Sequence, residues 1–258
     1  MADDREVHVH LLPELVPRGR LAGGIAVVVD VLRATTTIVH ALAAGCVAVR
    51  PCAEIDEAQT LAGSMRAGRV LLAGERGGQQ LPGFDMGNSP CSFTPRSCCG
   101  CTLVLTTSNG TRALLKAAEA DRALVAAFVN FSAVCEQLRQ DVRPIHVLCA
   151  GTESEVALED TLLAGALVDY LSQACEVELN DSARLAWDCF ENHGRVLHGA
   201  IEVSRGGAIL RRLGYDEDIK AACQIDRFHL VPELKRDPLR VEVGAVGIVQ
   251  NHWQREQN

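Results

Sequence analysis

Residues 25–38 read IAVVVDVLRATTTI, and the fold is decided in this stretch. Ile25–Val31 is an apolar run broken only by Asp30, the pattern of a strand buried on both faces of a parallel sheet. Arg33 and the hydroxyls of Thr35, Thr36 and Thr37 come next, and Ile38–Ala44 continues as a helix closed by Gly45. An apolar strand that ends in small polar residues and enters a helix is the repeating unit of α/β proteins. The unit recurs with a strand at Thr102–Leu105, a polar turn at Thr106–Gly110 and a helix at Thr111–Ala120. It recurs again as Ile145–Cys149, Ala150–Glu155 and the long helix Val156–Leu171.

Outward from these units, Val7–Leu11, Val47–Arg50 and Val70–Ala73 read as further strands. Ile55–Arg66 reads as a helix with Asp56 and Glu57 in its first turn, where the helix dipole favours acids. The last third has helical spacing over Asn180–His193, Arg205–Leu213 and Tyr215–Cys223. Val241–Val249 alternates as a terminal strand does, and the tail from Asn251 is expected to fray. The expected architecture is α/β, layered α/β/α, with a largely parallel or mixed sheet. No linker or low-complexity segment divides the chain, so one domain over residues 1–258 is expected, with room for a two-lobed subdivision.

Bulk composition narrows the function classes. The chain has 258 residues, 48% hydrophobic and 22% charged, enough for a sizeable globular core. A net charge of -8 argues against non-specific nucleic-acid binding and against anionic membrane surfaces. There is no apolar run of about 18 residues, and the opening MADDREVHVH is too acidic for a signal peptide. Eleven cysteines at irregular spacing then read as reduced, cytoplasmic thiols. Cys98, Cys99 and Cys101 have no second Cys or His pair at a zinc-site interval. No phosphate-binding Walker loop and no dinucleotide fingerprint is present.

Chemistry is expected beyond the carboxyl ends of the strands, where ligands sit in open α/β sheets. Asp30 reads as the cap of the following helix or as a ligand-binding acid, and the two roles are compatible. Arg33 with Thr35–Thr37 at a helix N-terminus suits an oxyanion, and Thr106, Thr107, Asn109, Gly110 and Thr111 make a similar case. Residues 74–90, GERGGQQLPGFDMGNSP, hold Glu75, Arg76, Asp85, Asn88, Ser89 and five glycines, with almost nothing to fill a core. Such a loop after the Val70–Ala73 strand reads as a binding surface. Glu159 and Asp160 stand beside Leu158 and Leu162 on a helix that should be packed, so these acids need an arginine or a divalent cation.

Together these segments resemble the 2-phosphosulfolactate phosphatase family. The resemblance is carried by VVVDVLRATTTI (Val27–Ile38), AGERGG with PGFDMGNSP (Ala73–Pro90), LTTSNGTRAL (Leu105–Leu114) and CAGTESEVALEDTLLAGAL (Cys149–Leu167). LGYDEDIKAACQID (Leu213–Asp226) is a weaker match. Ser154 stands where glycine is expected, and Cys91–Cys101 reads as an insertion-like loop. The resemblance implies a Mg2+-dependent phosphatase that converts (R)-2-phospho-3-sulfolactate to 3-sulfolactate and phosphate, a step toward coenzyme M. Other 2-phospho-hydroxy acids are further candidate substrates.

On that reading Asp30, Arg33, Glu75, Arg76 and Asp85 are catalytic, and Mg2+ is held among Asp30, Glu75, Glu159 and Asp160. Substrate is bound by Thr35, Thr36, Thr37, Asn88, Ser89, Thr106, Thr107, Asn109, Gly110 and Thr111. Which acid binds metal and which activates water stays open. The expected partner is a small anionic phosphorylated substrate, with neither nucleic acid nor membrane, and the chain is a monomer or a homodimer. Two rivals remain. A haloacid-dehalogenase-type phosphatase would use Asp30 as nucleophile, but Leu32 occupies the position of its second aspartate. A non-catalytic binder of an anionic metabolite would gain nothing from the acids without a cation.

Overall fold

The computed structural model describes residues 5–66 and 68–244. Strands β1 (Arg5–His10) and β2 (Ile25–Val29) precede α1 (Ala34–Ala43), β3 (Ala48–Pro51) and α2 (Ile55–Ser64). Then come β4 (Arg69–Arg76), the short β5 (Gln79–Gln80), the single turn α3 (Pro95–Cys98), β6 (Cys101–Thr106) and α4 (Gly110–Ala117). β7 (Arg122–Ala126), α5 (Phe131–Gln140), β8 (Ile145–Cys149) and α6 (Leu158–Ala174) follow. The rest is β9 (Val177–Leu179), α7 (Asp181–His193), α8 (Leu197–Val203), α9 (Arg205–Arg212), α10 (Asp216–Ala222), β10 (Pro232–Lys235) and β11 (Arg240–Val243).

The strands join one mixed, mostly parallel sheet in the order β5-β4-β6-β3-β11-β10-β7-β2-β8-β1-β9. β4, β6 and β3 run parallel to one another, as do β7, β2, β8, β1 and β9. The β10–β11 hairpin joins these groups through three antiparallel steps, which reverse the strand sense between them. From β4 to β2 there are also six strand-to-strand steps, which at about 20–25° each accumulate roughly 120–150° of twist. That rotation offsets the reversal, so the carboxyl ends of β4 and β6 meet those of β2 and β8.

Helices flank the sheet in an α/β/α arrangement. One core packs α5, α6 and α7 against β1, β2, β7 and β8 through residues such as Val27, Val147, Leu163 and Leu167. A second core fills the opposite side, where Ile38 of α1 and Leu114 of α4 lie between Val28 of β2 and Leu103 and Leu105 of β6. α1 is therefore enclosed on all sides, with every residue from Ala34 to Leu42 buried. A helix in that setting has no solvent face, which is why its sequence shows no polar stripe.

Two departures from the sequence pattern bear on the core and the site. Ala123–Val129 is one apolar run, yet β7 ends inside it and α5 begins after a short 3₁₀ turn. Asn130 makes the break: its Oδ1 accepts the Ala127 N–H at 2.8 Å, and its Nδ2 donates to the carbonyls of Val125 and Leu230. α6 starts at Leu158, two residues later than expected, which puts Glu159 and Asp160 in its first turn. Of the expected terminal strand, Val241–Val243 belongs to β11; residues 245–249 and the tail from Asn251 lie outside the described residues. All eleven cysteines are free thiols. No helix among the described residues is long and apolar enough to cross a membrane.

A histidine pair sits between β1 and β8. His10 Nε2 lies 3.3 Å from His146 Nδ1, and both side chains are buried. One ring nitrogen donates and the other accepts, so the accepting ring must be neutral and the contact is lost when both rings are protonated. Burial lowers both imidazoles to about 4, and the positive charge of His8 and Arg20 adds to the effect. The folded value lies below the ordinary 6.5, so the unfolded chain takes up protons first as pH falls. The pair's contribution is complete above the ordinary value and is lost toward pH 4. Acidification from pH 7 to pH 5 is expected to cost about 1–2 kcal/mol per histidine. Urea unfolding of the wild type and of His146→Gln at both pH values measures this, and the variant should show the flatter dependence.

Candidate active site

A cavity of about 360 Å³ opens at the carboxyl ends of β2, β4, β6 and β8, and α9 forms its far wall. Asp30, Leu32 and Arg33 come from the β2–α1 turn, and Glu75, Gly77 and Gly78 from the end of β4. Asn88 adds to them, as do Thr107, Ser108 and Asn109 from the β6–α4 turn and Thr152 and Glu153 from the loop after β8. Arg205, Gly206, Ile209, Leu210 and Arg212 share the α9 face that closes the cavity.

Arg33 holds this wall in place. Its Nη1 donates to Asp218 Oδ2 at 2.6 Å and its Nη2 to the Gly78 carbonyl at 2.6 Å. The guanidinium lies 4.6 Å from the centre of the Tyr215 ring, and Asp218 Oδ1 accepts the Ser89 hydroxyl. Both side chains of the ion pair are only 3% exposed, so neither charge has water as an alternative partner.

Glu75 ties the ends of β4 and β6 together. Its Oε1 accepts the Ser108 N–H at 2.7 Å, and its Oε2 accepts the Gly78 N–H at 2.8 Å. Asp160 does the same for β2 and β8: Oδ1 accepts the Val31 N–H at 2.8 Å and Oδ2 the Gly151 N–H at 3.0 Å. Asp30 caps α1 by accepting the Ala34 N–H at 3.0 Å while it also lines the cavity. Burial pushes the Asp30 carboxyl up to about 7, with the charges of Glu75 and Glu159 adding to it and the Ala34 N–H and Arg33 opposing. Burial also raises Glu159 and, well above the carboxylate range, Asp160.

Two glycines let the backbone close over these acids. A Cβ on Gly110 would run into Ala34 and the Asp30 carboxylate, and one on Gly206 would run into Glu159 Oε1. Glu159 thus lies directly behind the cavity wall at Gly206.

Of the residues expected from sequence, Asp30, Arg33, Glu75, Asn88, Thr107 and Asn109 line the cavity. Thr35, Thr36 and Thr37 do not: their hydroxyls donate to the carbonyls of Asp30, Val31 and Asn88, inside the enclosed α1. Arg76 also turns away, donating to the Glu75 and Ala53 carbonyls and to the Thr106 hydroxyl, so Thr106 is occupied too. Asp85 is exposed and accepts the Leu72 N–H, and Thr111 Oγ1 donates to the Thr107 carbonyl. Gly110 packs on Asp30, and Ser89 reaches the site through Asp218.

Sequence reasoning missed Asp218, Arg205, Gly206 and Arg212. The signal available was the spacing of Arg205, Ile209 and Arg212, which puts them on one helix face, but surface arginines at such spacing are common. Ser154, where glycine is expected, has φ +61°, in the left-handed region that glycine enters without strain.

Among the described residues no group of three or more His, Cys, Asp or Glu is arranged around a common point to hold a metal ion. Mg2+ is characteristically held by only one or two carboxylates, with water and substrate oxygens completing its shell. Glu159 Oε2 is buried and makes no hydrogen bond, and Asp30 is close enough for its charge to be felt. That oxygen-only donor pair fits Mg2+, whereas both oxygens of Asp160 and of Glu75 already accept N–H groups.

Strand carboxyl ends, arginines and buried acids around one small cavity define an α/β enzyme that handles a compact polyanion. The family model of 2-phosphosulpholactate phosphatase matches residues 10–237. The chain belongs to this family, whose members are phosphoric monoester hydrolases. It is 36% identical to a probable 2-phosphosulfolactate phosphatase of Caldanaerobacter subterraneus subsp. tengcongensis, covering 83% of this chain and 89% of that protein. A protein of the same name from Thermotoga petrophila is 40% identical, with 81% and 88% covered. One from Cyanothece is 36% identical, with 88% and 95% covered.

Removing Asp218 would leave the Arg33 charge buried without its partner. Asp218→Ala is expected to destabilise the protein by about 3–5 kcal/mol in chemical denaturation, and Asp218→Asn by less. Gly110→Ala is expected to cost about 1–3 kcal/mol by forcing α1 and α4 apart, and to displace Asp30. A crystal structure of that variant would show the moved carboxylate.

Proposed function

We propose that this chain hydrolyses (R)-2-phospho-3-sulfolactate to 3-sulfolactate and inorganic phosphate with Mg2+ as cofactor. The observation that supports this most is the joining of Asp30, Glu75 and three arginines in one cavity, in a chain whose relatives carry that name. The substrate puts phosphate, carboxylate and sulfonate on a three-carbon frame, so its site must stabilise several negative charges at once.

Asp30 and Glu159 would hold Mg2+, which stabilises charge on the phosphoryl oxygens and offsets repulsion from the acids. The dipoles of α1 and α4, whose N-termini face the cavity, supply further favourable potential for an anion. Asn109 begins α4 without a side-chain cap bond, and Asn88 presents a buried Oδ1 without a hydrogen-bond partner among the described residues. Glu75, fixed by the Gly78 and Ser108 N–H groups, is placed to accept the proton of an attacking water. The water oxygen bonds to phosphorus as Glu75 takes its proton, the ester P–O bond breaks, and the C2 oxygen takes up a proton from solvent to leave as the alcohol. Arg33 acts at one remove, because its donors are committed to Asp218 and Gly78.

Purified protein is expected to release phosphate from this substrate with Mg2+ and to stop in EDTA. Glu75→Gln is expected to lower kcat by about 10²–10⁴-fold with a smaller change in KM. Normal turnover by Glu75→Gln would overturn its role. The haloacid-dehalogenase-type alternative predicts a phosphorylated Asp30, which mass spectrometry of quenched enzyme would detect. Leu32 lines the cavity where that chemistry needs a second acid.

A further inference from the structure

We infer that Arg212 reads the sulfonate of the substrate and sets the enzyme's preference for a 3-sulfonated over an unsubstituted three-carbon acid. This rests on the proposed function and adds which wall of the cavity receives which anionic group.

The charges lining the cavity can be sorted by what already neutralises them. Arg33 is matched by Asp218 and capped by the Gly78 carbonyl. Arg205 is clamped between Glu153 and Glu155 at the mouth. Arg212 lines the same cavity, and among the described residues its guanidinium makes no hydrogen bond and no ion pair. Among the described residues it is the one lining cation whose charge is still available to a ligand.

Its position suits one substrate group in particular. Arg205 and Arg212 lie at opposite ends of α9, about 10 Å apart along the axis, with Ile209 and Leu210 between them. Arg212 therefore marks a cationic corner away from the loop after β8 and next to the Gly77–Gly78 turn, where Gly78 packs on Leu213 and Ile209. Phosphate and carboxylate oxygens are good ligands for a hard cation and for helix N-termini. A sulfonate is a permanent anion of very low basicity and a poor metal ligand. It is held better by the planar fork of a guanidinium, through parallel charge-assisted hydrogen bonds. A helix C-terminus also favours a cation electrostatically, but that accounts for a positive residue there and not for its unpaired place in the cavity wall.

The test compares (R)-2-phospho-3-sulfolactate with 2-phospholactate, which carries hydrogen in place of the sulfonate, by phosphate release in the presence of Mg2+. Wild type, Arg212→Gln and Arg212→Lys are measured, with thermal unfolding as the check on folding. In Arg212→Gln the ratio of kcat/KM for the sulfonated over the unsubstituted substrate should fall roughly 10- to 100-fold, mainly through KM. Arg212→Lys should recover part of it, because a point charge replaces the fork. Calorimetric binding of the product 3-sulfolactate should weaken in parallel. An unchanged ratio in a folded Arg212→Gln, with wild type active on the sulfonated substrate, overturns this inference alone. Wild type inactive on both compounds overturns the proposed function and this inference with it.

Discussion

The buried pair between Arg33 and Asp218 is the constraint on which the site depends. The two residues are 185 positions apart, and their 2.6 Å contact joins the β2–α1 turn to α10. Removing two charges from water is costly, and direct attraction offsets that cost only when the remaining donors and acceptors are also satisfied. Here they are: the second arm of Arg33 reaches Gly78, Tyr215 covers its face, and Ser89 takes the other Asp218 oxygen. A single guanidinium thus positions the β4 turn, the Asn88–Ser89 segment and the helical C-terminal region that carries α9. Apolar packing of Leu210, Ile219 and Ala222 into the core seats the same helices, and the ion pair adds the polar link to the strand ends.

Inside that frame, burial and mutual repulsion make the acids Asp30, Glu159 and Asp160 harder to ionise. Asp160 spends both oxygens on backbone N–H groups, so its work is structural: it stitches two parallel strands together where the ladder ends. Glu159 has no such commitment on one oxygen. Two adjacent acids on one helix therefore have different tasks, and the difference lies in their hydrogen-bond partners.

Much of the architecture was legible in the sequence, because hydrophobic runs and polar turns are local signals. Ile25–Val29, Cys101–Thr106 and Ile145–Cys149 are strands whose central position follows from continuous apolar composition. The β7–α5 boundary was not legible, because Asn130 separates the two elements through bonds to residues as distant as Leu230. The candidate site was half visible. Asp30, Arg33, Glu75, Asn88, Thr107 and Asn109 reach the cavity, while Thr35–Thr37, Arg76 and Asp85 have the right chemistry and face elsewhere.

The sequence by itself determined the strand–turn–helix units, the family and the clustering of polar residues at strand ends, since these follow from neighbours along the chain. Only the tertiary structure decided which polar groups serve a ligand. α1 is sealed between two layers, so its threonines have no acceptors but nearby carbonyls. The twist of the sheet brings β4 and β6 round to β2 and β8, and α9 then closes over all four with Arg205 and Arg212. Whether a side chain is spent or available depends on partners remote in sequence, and that is a property of the packed chain.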